Sequence, residues 1–290
     1  MGAAEEAPHI GLRGLEHKQN CRFLHAAASL RWASLSLLIS DPTFYAVAVP
    51  AALLMGLSKS GFAAGIGALA VPLMALAVPV PQAAAIMLPL LLAADVTGLS
   101  QLARHCDWRL IRLLLPAGLG GIAVGWALFG WLSAPAVAGL VGLLTLVFVA
   151  IRLFLPAKAD APPPSAGMGR LMAALSGFTS FVAHAGSPPI GFYVLPLKLP
   201  PLVFSATMAV FFAAINLSKW LPYALLGLID ATNMTTSLVL LPLPMLGVWA
   251  GVRLVRRVST SLFNRLFLAG MLLTGLKLLW DGVRGLQIGT

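Results

Sequence analysis

Charge is what this sequence has least of. Only 10% of its 290 residues are Asp, Glu, Lys or Arg, whereas 59% are hydrophobic and the mean hydropathy is +0.93. A soluble domain carries about 25% charged residues, because its surface must be solvated. The shortage therefore excludes an ordinary water-soluble protein, since most of this surface faces something other than water. Acidic residues are the scarcest, 9 against 19 basic, and no His/Cys/Glu cluster has metal-ligand spacing. Cysteine is almost absent: Cys21 lies in a polar tail and Cys106 in a basic loop, which excludes a disulfide framework and a thiolate metal site. There is no Ser/His/Asp set with nucleophile-elbow flanks and no phosphate-binding glycine loop between a strand and a helix. No enzyme activity, metal or cofactor is expected.

What is present is apolar sequence. Segments run at about 43–57, 65–78, 82–103, 109–130, 134–156, 168–184, 188–199, 202–226, 233–254 and 260–282. A spanning helix needs about 20 mostly apolar residues, so the chain has room for roughly eight to ten. The fold class is an all-α integral membrane protein, a polytopic helical bundle. Its net charge of +10 belongs to loops that set orientation, so lipid is an expected partner and nucleic acid is not. Residues 1–40 form a polar or interfacial tail, and 157–167 a Pro-rich cytoplasmic linker. Between and after them lie two membrane units, 41–156 and 168–290.

The two units resemble each other. A shift of 121 residues lays Gly56 on Gly177, Gly65 on Gly186, Pro79 on Pro200, Ala85 on Ala206 and Asp95 on Asn216; a shift of 126 lays Pro116, Gly121 and Gly125 on Pro242, Gly247 and Gly251. Charge then orients them. Arg104, Arg109 and Arg112 follow the third segment of the first unit, and the next loop, 131–135, is uncharged. In the second unit the loop 227–232 holds only Asp230, while 253–265 holds Arg253, Arg256, Arg257 and Arg265. The positive-inside rule puts equivalent loops on opposite sides of the membrane, which predicts inverted-topology repeats. For the count to close, 43–57 with 65–78, and 168–184 with 188–199, must each enter and leave on one side as a broken or re-entrant helix pair. Both termini are then outside.

Each unit is interrupted by a Gly/Pro break, Gly56 to Gly67 and His184 to Pro189, and such breaks at matching places point to a transporter's binding site. Polar groups sit beside them: Lys59 at the first break, His184 at the second, Asp95 inside 82–103, and Asn216 and Lys219 inside 202–226. An ionisable residue in a membrane segment is costly and faces a cavity or a partner. The plainer readings are a structural Lys59–Asp95 ion pair, a Lys219 that snorkels to an interface, an Asn216 that joins helices, and a packed His184. A half-helix starting after Gly65-Ile66-Gly67, or at Pro188-Pro189, offers free N–H groups and a positive dipole end, which suits a small anion. The candidate substrate-binding residues are thus Lys59, Ser60, Gly61, Gly65, Gly67, His184, Gly186, Ser187, Asn216 and Lys219. Asp95, a carboxylate where the other unit has an amide, is the candidate for proton coupling.

The run GLSKSGFAAGIGALAVP at 56–72, Leu88-Pro-Leu-Leu-Leu-Ala-Ala-Asp95, Asp107-Trp-Arg109, and Leu115-Pro116 through Gly125 resembles the TauE/SafE sulfite exporter family. The likeness covers about 41–285 and is strongest at about 53–126. The second unit keeps Gly177, Gly186 and Pro200, with Gly186-Ser-Pro-Pro where many members have a triple glycine. The resemblance implies export of sulfite, sulfoacetate or a related organosulfonate across a bacterial inner membrane, driven by an ion gradient. A passive anion channel, or a carrier of another small organic anion, is the alternative.

Overall fold

Pro79-Val80-Pro81 and Pro200-Pro201 each open a long helix, because proline at the first turn loses no hydrogen bond and has its φ already set. In the computed structural model the described residues are 38–59, 66–154, 164–254 and 260–288. The N-terminal tail, most of the Pro-rich linker, and Arg256 and Arg257 lie outside them. Among the described residues there are helices and no strands, and those from Asp41 onward form one compact unit.

The helices are α1 (Pro42–Lys59), α2 (Ala70–Met74, led in by a 3-10 turn Ile66–Leu69), α3 (Val80–Leu102), α4 (Trp108–Phe129), α5 (Ala134–Phe154), α6 (Ala166–Ala183), α7 (Ser187–Val194), α8 (Pro201–Ser218), α9 (Trp220–Leu225), α10 (Ala231–Leu240), α11 (Pro242–Leu254) and α12 (Thr260–Ile288). Side-chain caps begin several of them. Asp107 accepts from Arg109 N at 2.9 Å and Leu110 N at 3.1 Å to start α4. Ser165 accepts from Met168 N to start α6, and Asp230 from Asn233 N at 2.8 Å to start α10. Asp41, before α1, accepts from Thr43 N and Oγ1, and those bonds hold its carboxyl below the ordinary value.

Two expected continuous segments are broken. The segment 202–226 divides at Lys219, because Pro222 has no N–H for the Ser218 carbonyl and its ring crowds that turn. The segment 233–254 divides at Leu241, ahead of Pro242. Trp108–Phe129, Ala134–Phe154, Pro201–Leu225 and Ala231–Ala250 are long and apolar enough to cross a bilayer. Large apolar side chains such as Trp131, Phe154, Leu221 and Leu238 point outward. The chain is an all-α, multi-pass membrane protein.

Contacts give the relative directions of the helices. Gln82 meets Asn233, and Ile86 meets Ser237, so α3 and α10 run side by side in the same direction. Asp107 N donates to Thr207 Oγ1 at 3.0 Å, and Gly118 packs on Phe211 and Ile215, so α4 and α8 do too. Gly139 faces Gly282, and Gly285 faces Pro135, so α5 and α12 are antiparallel. Gly169 packs on Tyr193 while Ser176 Oγ donates to the Gly186 carbonyl at 2.7 Å, so α6 and α7 form a hairpin.

Glycines allow the closest helix approaches. Gly177 abuts the Gly118 carbonyl and Gly121 the Ala174 carbonyl, on α6 and α4; Gly56 abuts the Pro244 carbonyl and Gly247 the Leu53 carbonyl, on α1 and α11. The shifts of 121 and 126 residues convert one set of contacts into the other. A methyl group at Gly121 would overlap backbone, whereas one at its neighbour Gly120 meets nothing within 4 Å. Gly121→Ala is therefore expected to cost about 1–3 kcal/mol by overpacking, and Gly120→Ala to raise stability by up to about 1 kcal/mol through helix propensity. Thermal unfolding in detergent measures both, and equal midpoints would contradict the packing described.

Candidate functional site

Five of the predicted polar residues meet in one network. Lys59, at the last turn of α1, donates to Asp95 Oδ1 on α3. Asn216 Nδ2, on α8, donates to Asp95 Oδ2 at 2.6 Å. Lys219 Nζ donates to Asn216 Oδ1 at 2.8 Å and lies 2.8 Å from His184 Nδ1. His184 Nε2 reaches the Ala84 carbonyl of α3 at 2.9 Å. The chain thus runs from α1 through α3 and α8 to the end of α6 and back to α3.

Burial divides the network into a front and a back. The Lys59 side chain is 26% exposed and that of Asp95 is 2%, whereas Lys219 is 0% exposed. Lys219 does not snorkel. The helix is interrupted at Lys219, and the Nζ is enclosed by Ser180 O and Oγ, both at 2.9 Å, His184 and Asn216. An enclosed ammonium is tolerable only with such a set of acceptors. Among the described residues two lysines and one carboxylate make up the charged members, so the site carries an excess positive charge when both lysines are protonated. Phe212 flanks Lys59, its ring centroid 6.0 Å from Nζ.

The two breaks differ. Ser60, Gly61 and Gly65 lie outside the described residues. Gly67 is buried in the 3-10 turn against Ser58 and Met55. At the second break His184 has a left-handed backbone, φ 52°, that ends α6, and Ser187 opens α7 with Gly186 before it. The expected cluster of free N–H groups is thinner here than the half-helix argument implied. Pro188 and Pro189 have none, so Ser187 alone supplies an N–H among the first three residues of α7. Gly186 is packed against Ser176 and Ser180, so the α6–α7 hairpin is tight.

Ser180, Tyr223 and the Ala84 carbonyl belong to the site and were not singled out in the sequence. Tyr223 OH donates to the Phe181 carbonyl at 2.6 Å and its ring lies 6.4 Å from that of His184. A signal for Ser180 existed: the 121-residue shift that pairs Asp95 with Asn216 also pairs Lys59 with Ser180. Cys106, in the turn after α3, is partly buried, and burial pushes its thiol above the ordinary value, so it is no candidate nucleophile.

The sequence matches the sulfite exporter TauE/SafE family over residues 48–278, most of the chain and every helix that contributes to the network. The chain belongs to this family. No curated protein and no solved structure matches it. Family membership makes the chain a membrane transporter of the sulfite-exporter type, and the network, with buried Asp95, His184, Asn216 and Lys219, lies within the matched region.

Proposed function

We propose that this chain is a secondary carrier for a small sulfur-containing anion, sulfite, sulfoacetate or a related organosulfonate, exporting it across a bacterial inner membrane and coupling it to protons through Asp95. Two inverted repeats, 41–156 and 168–290, supply the alternating motion. The paired glycine contacts and the helix directions given above support that reading. The observation that carries the functional reading is the Lys59–Asp95 pair, with the lysine the more exposed partner.

The pair works as a switch. With Asp95 ionised, Lys59 already has its counter-charge, and a second anion gains little. When Asp95 takes a proton, Lys59 is left as an unpaired cation in a low-dielectric site, a state that costs several kcal/mol and that an incoming anion relieves. Phe212 flanks the place where that anion meets Lys59. Asn216, Lys219 and His184 hold the site from behind. One proton then travels with each anion that binds Lys59.

The test is flux of radiolabelled sulfite and sulfoacetate into proteoliposomes. Saturable uptake that a pH gradient accelerates is expected. Unsaturable flux indifferent to the gradient would identify a passive channel, and flux no faster than in protein-free liposomes would remove both anions as substrates.

A further inference from the structure

Lys219 touches neither Lys59 nor Asp95 directly, yet its place in the hydrogen-bond chain determines what Asp95 can do. We infer that Lys219 is a positioning residue which, acting through Asn216, fixes the oxygen of Asp95 that receives the proton. The inference rests on the reading of Lys59–Asp95 as the coupling pair.

Donors and acceptors around Lys219 fix which atoms carry hydrogen. The Ala84 carbonyl can only accept, so His184 Nε2, 2.9 Å away, carries a hydrogen. In the neutral ring Nδ1 is then an acceptor, facing Lys219 Nζ at 2.8 Å. Nζ also faces the Ser180 carbonyl at 2.9 Å and Asn216 Oδ1 at 2.8 Å. With the Ser180 Oγ at 2.9 Å as well, four acceptors surround the three hydrogens of the ammonium group, and no neighbour need donate to it. An ammonium offers no acceptor, so the Asn216 amide has one permitted orientation: oxygen towards Lys219, NH2 towards Asp95. That NH2 lies 2.6 Å from Asp95 Oδ2. Both carboxyl oxygens face a donor, but the buried Asn216 is held in place while the more exposed Lys59 is able to withdraw, so the proton is accommodated at Oδ1, the atom that Lys59 occupies.

The consequence is tight coupling. A proton from water on the open side, arriving at Oδ1, sets O–H against N–H and expels Lys59, which then meets the anion; when the proton leaves to water, the ion pair re-forms. With Asn216 free to flip, its oxygen would accept from a proton on Oδ2. Asp95 would then be protonated with Lys59 still in place, and protons would bind without releasing the lysine. The other ionisable groups around Lys219 are Lys59 from α1, Asp95 from α3, His184 at the end of α6 and Tyr223 on α9, whose OH is committed to the Phe181 carbonyl.

The test compares two activities in proteoliposomes holding the full chain: sulfite counterflow without a gradient, and net sulfite uptake under an imposed pH gradient. Lys219→Met should retain measurable counterflow and lose most of the gradient acceleration. Asn216→Leu should do the same, and adding Lys219→Met to it should change nothing further, as expected when one residue acts through the other. A raised counterflow KM in Lys219→Met, recurring in the Asn216→Leu background, would show a plain charge effect on the anion and overturn the relay. If Lys219→Met does not fold, Asn216→Leu decides alone, and retained acceleration in it overturns the relay. Wild-type protein without counterflow would sink the carrier reading itself, while counterflow with no gradient acceleration would leave a carrier and remove the coupling.

Discussion

Lys59→Ala is expected to abolish net anion transport, and Lys59→Arg to restore only part of it. The ammonium of Lys59 is the cation nearest to solvent in the central network, and Asp95 behind it is 2% exposed. A hydrogen bond to a charged group contributes about 1.5–3 kcal/mol, so losing it should weaken anion affinity by roughly ten- to a hundredfold. The substitution also strands Asp95. Removing one partner of a buried pair costs about 3–5 kcal/mol, relieved only if Asp95 stays protonated. Lys59→Ala should therefore be less stable than the wild type, and Lys59→Ala with Asp95→Asn should recover stability but not transport. Arginine keeps the charge but brings a planar fork in place of a compact ammonium, and Phe212 beside Nζ limits its room. Counterflow KM and thermal unfolding, measured on the three variants, separate binding from folding. Wild-type KM in Lys59→Ala would remove the lysine from the site.

The helices were legible because their signals are local. Apolar runs bounded by Pro79-Val80-Pro81, Ser133-Ala134-Pro135 and Pro200-Pro201 give element ends to within a few residues, and Asp107 and Asp230 are the caps that such ends call for. The site was legible in part. Lys59, Asp95, His184, Asn216 and Lys219 stood out because ionisable and amide groups are rare in membrane segments, and all five meet. The Lys59–Asp95 pairing was anticipated, whereas the contacts of Lys219, His184 and Asn216 were not legible. Lys219 looked able to reach an interface, since sequence periodicity does not show that the lysine is enclosed by Ser180, His184 and Asn216. Ser180 was silent because a serine in a helix near glycines reads as ordinary packing; only the comparison of the two halves singles it out. Nor does the motif Ser187-Pro188-Pro189 reveal how few N–H groups it leaves until the helix is known to begin at Ser187.

Asp95→Asn is expected to keep the fold and much of the anion binding while removing every effect of a pH gradient. The substitution changes little in shape. Asn216 Nδ2 can still donate to the side-chain oxygen that replaces Oδ2, and Lys59 loses a counter-charge but keeps its place beside Phe212. What disappears is the group that titrates. If one proton moves with one monoanion, the cycle is electroneutral, and a gradient of one pH unit, about 1.36 kcal/mol, sustains an accumulation of roughly tenfold. Wild-type vesicles should approach that ratio and ignore an imposed membrane potential. In Asp95→Asn the anion moves as a charge on its own, so the ratio under a pH gradient should fall to about one, and a potential should now drive the flux. Asn216→Asp makes the opposite change at the paired position, adding a second carboxylate beside Asp95, and should impair anion binding by repulsion. The measurement is steady-state accumulation of radiolabelled sulfite under a pH gradient, then under a potassium diffusion potential, for wild type and Asp95→Asn. Equal dependence on pH in both proteins would leave Asp95 as a structural partner of Lys59, and the titrating group would have to be sought elsewhere in the network.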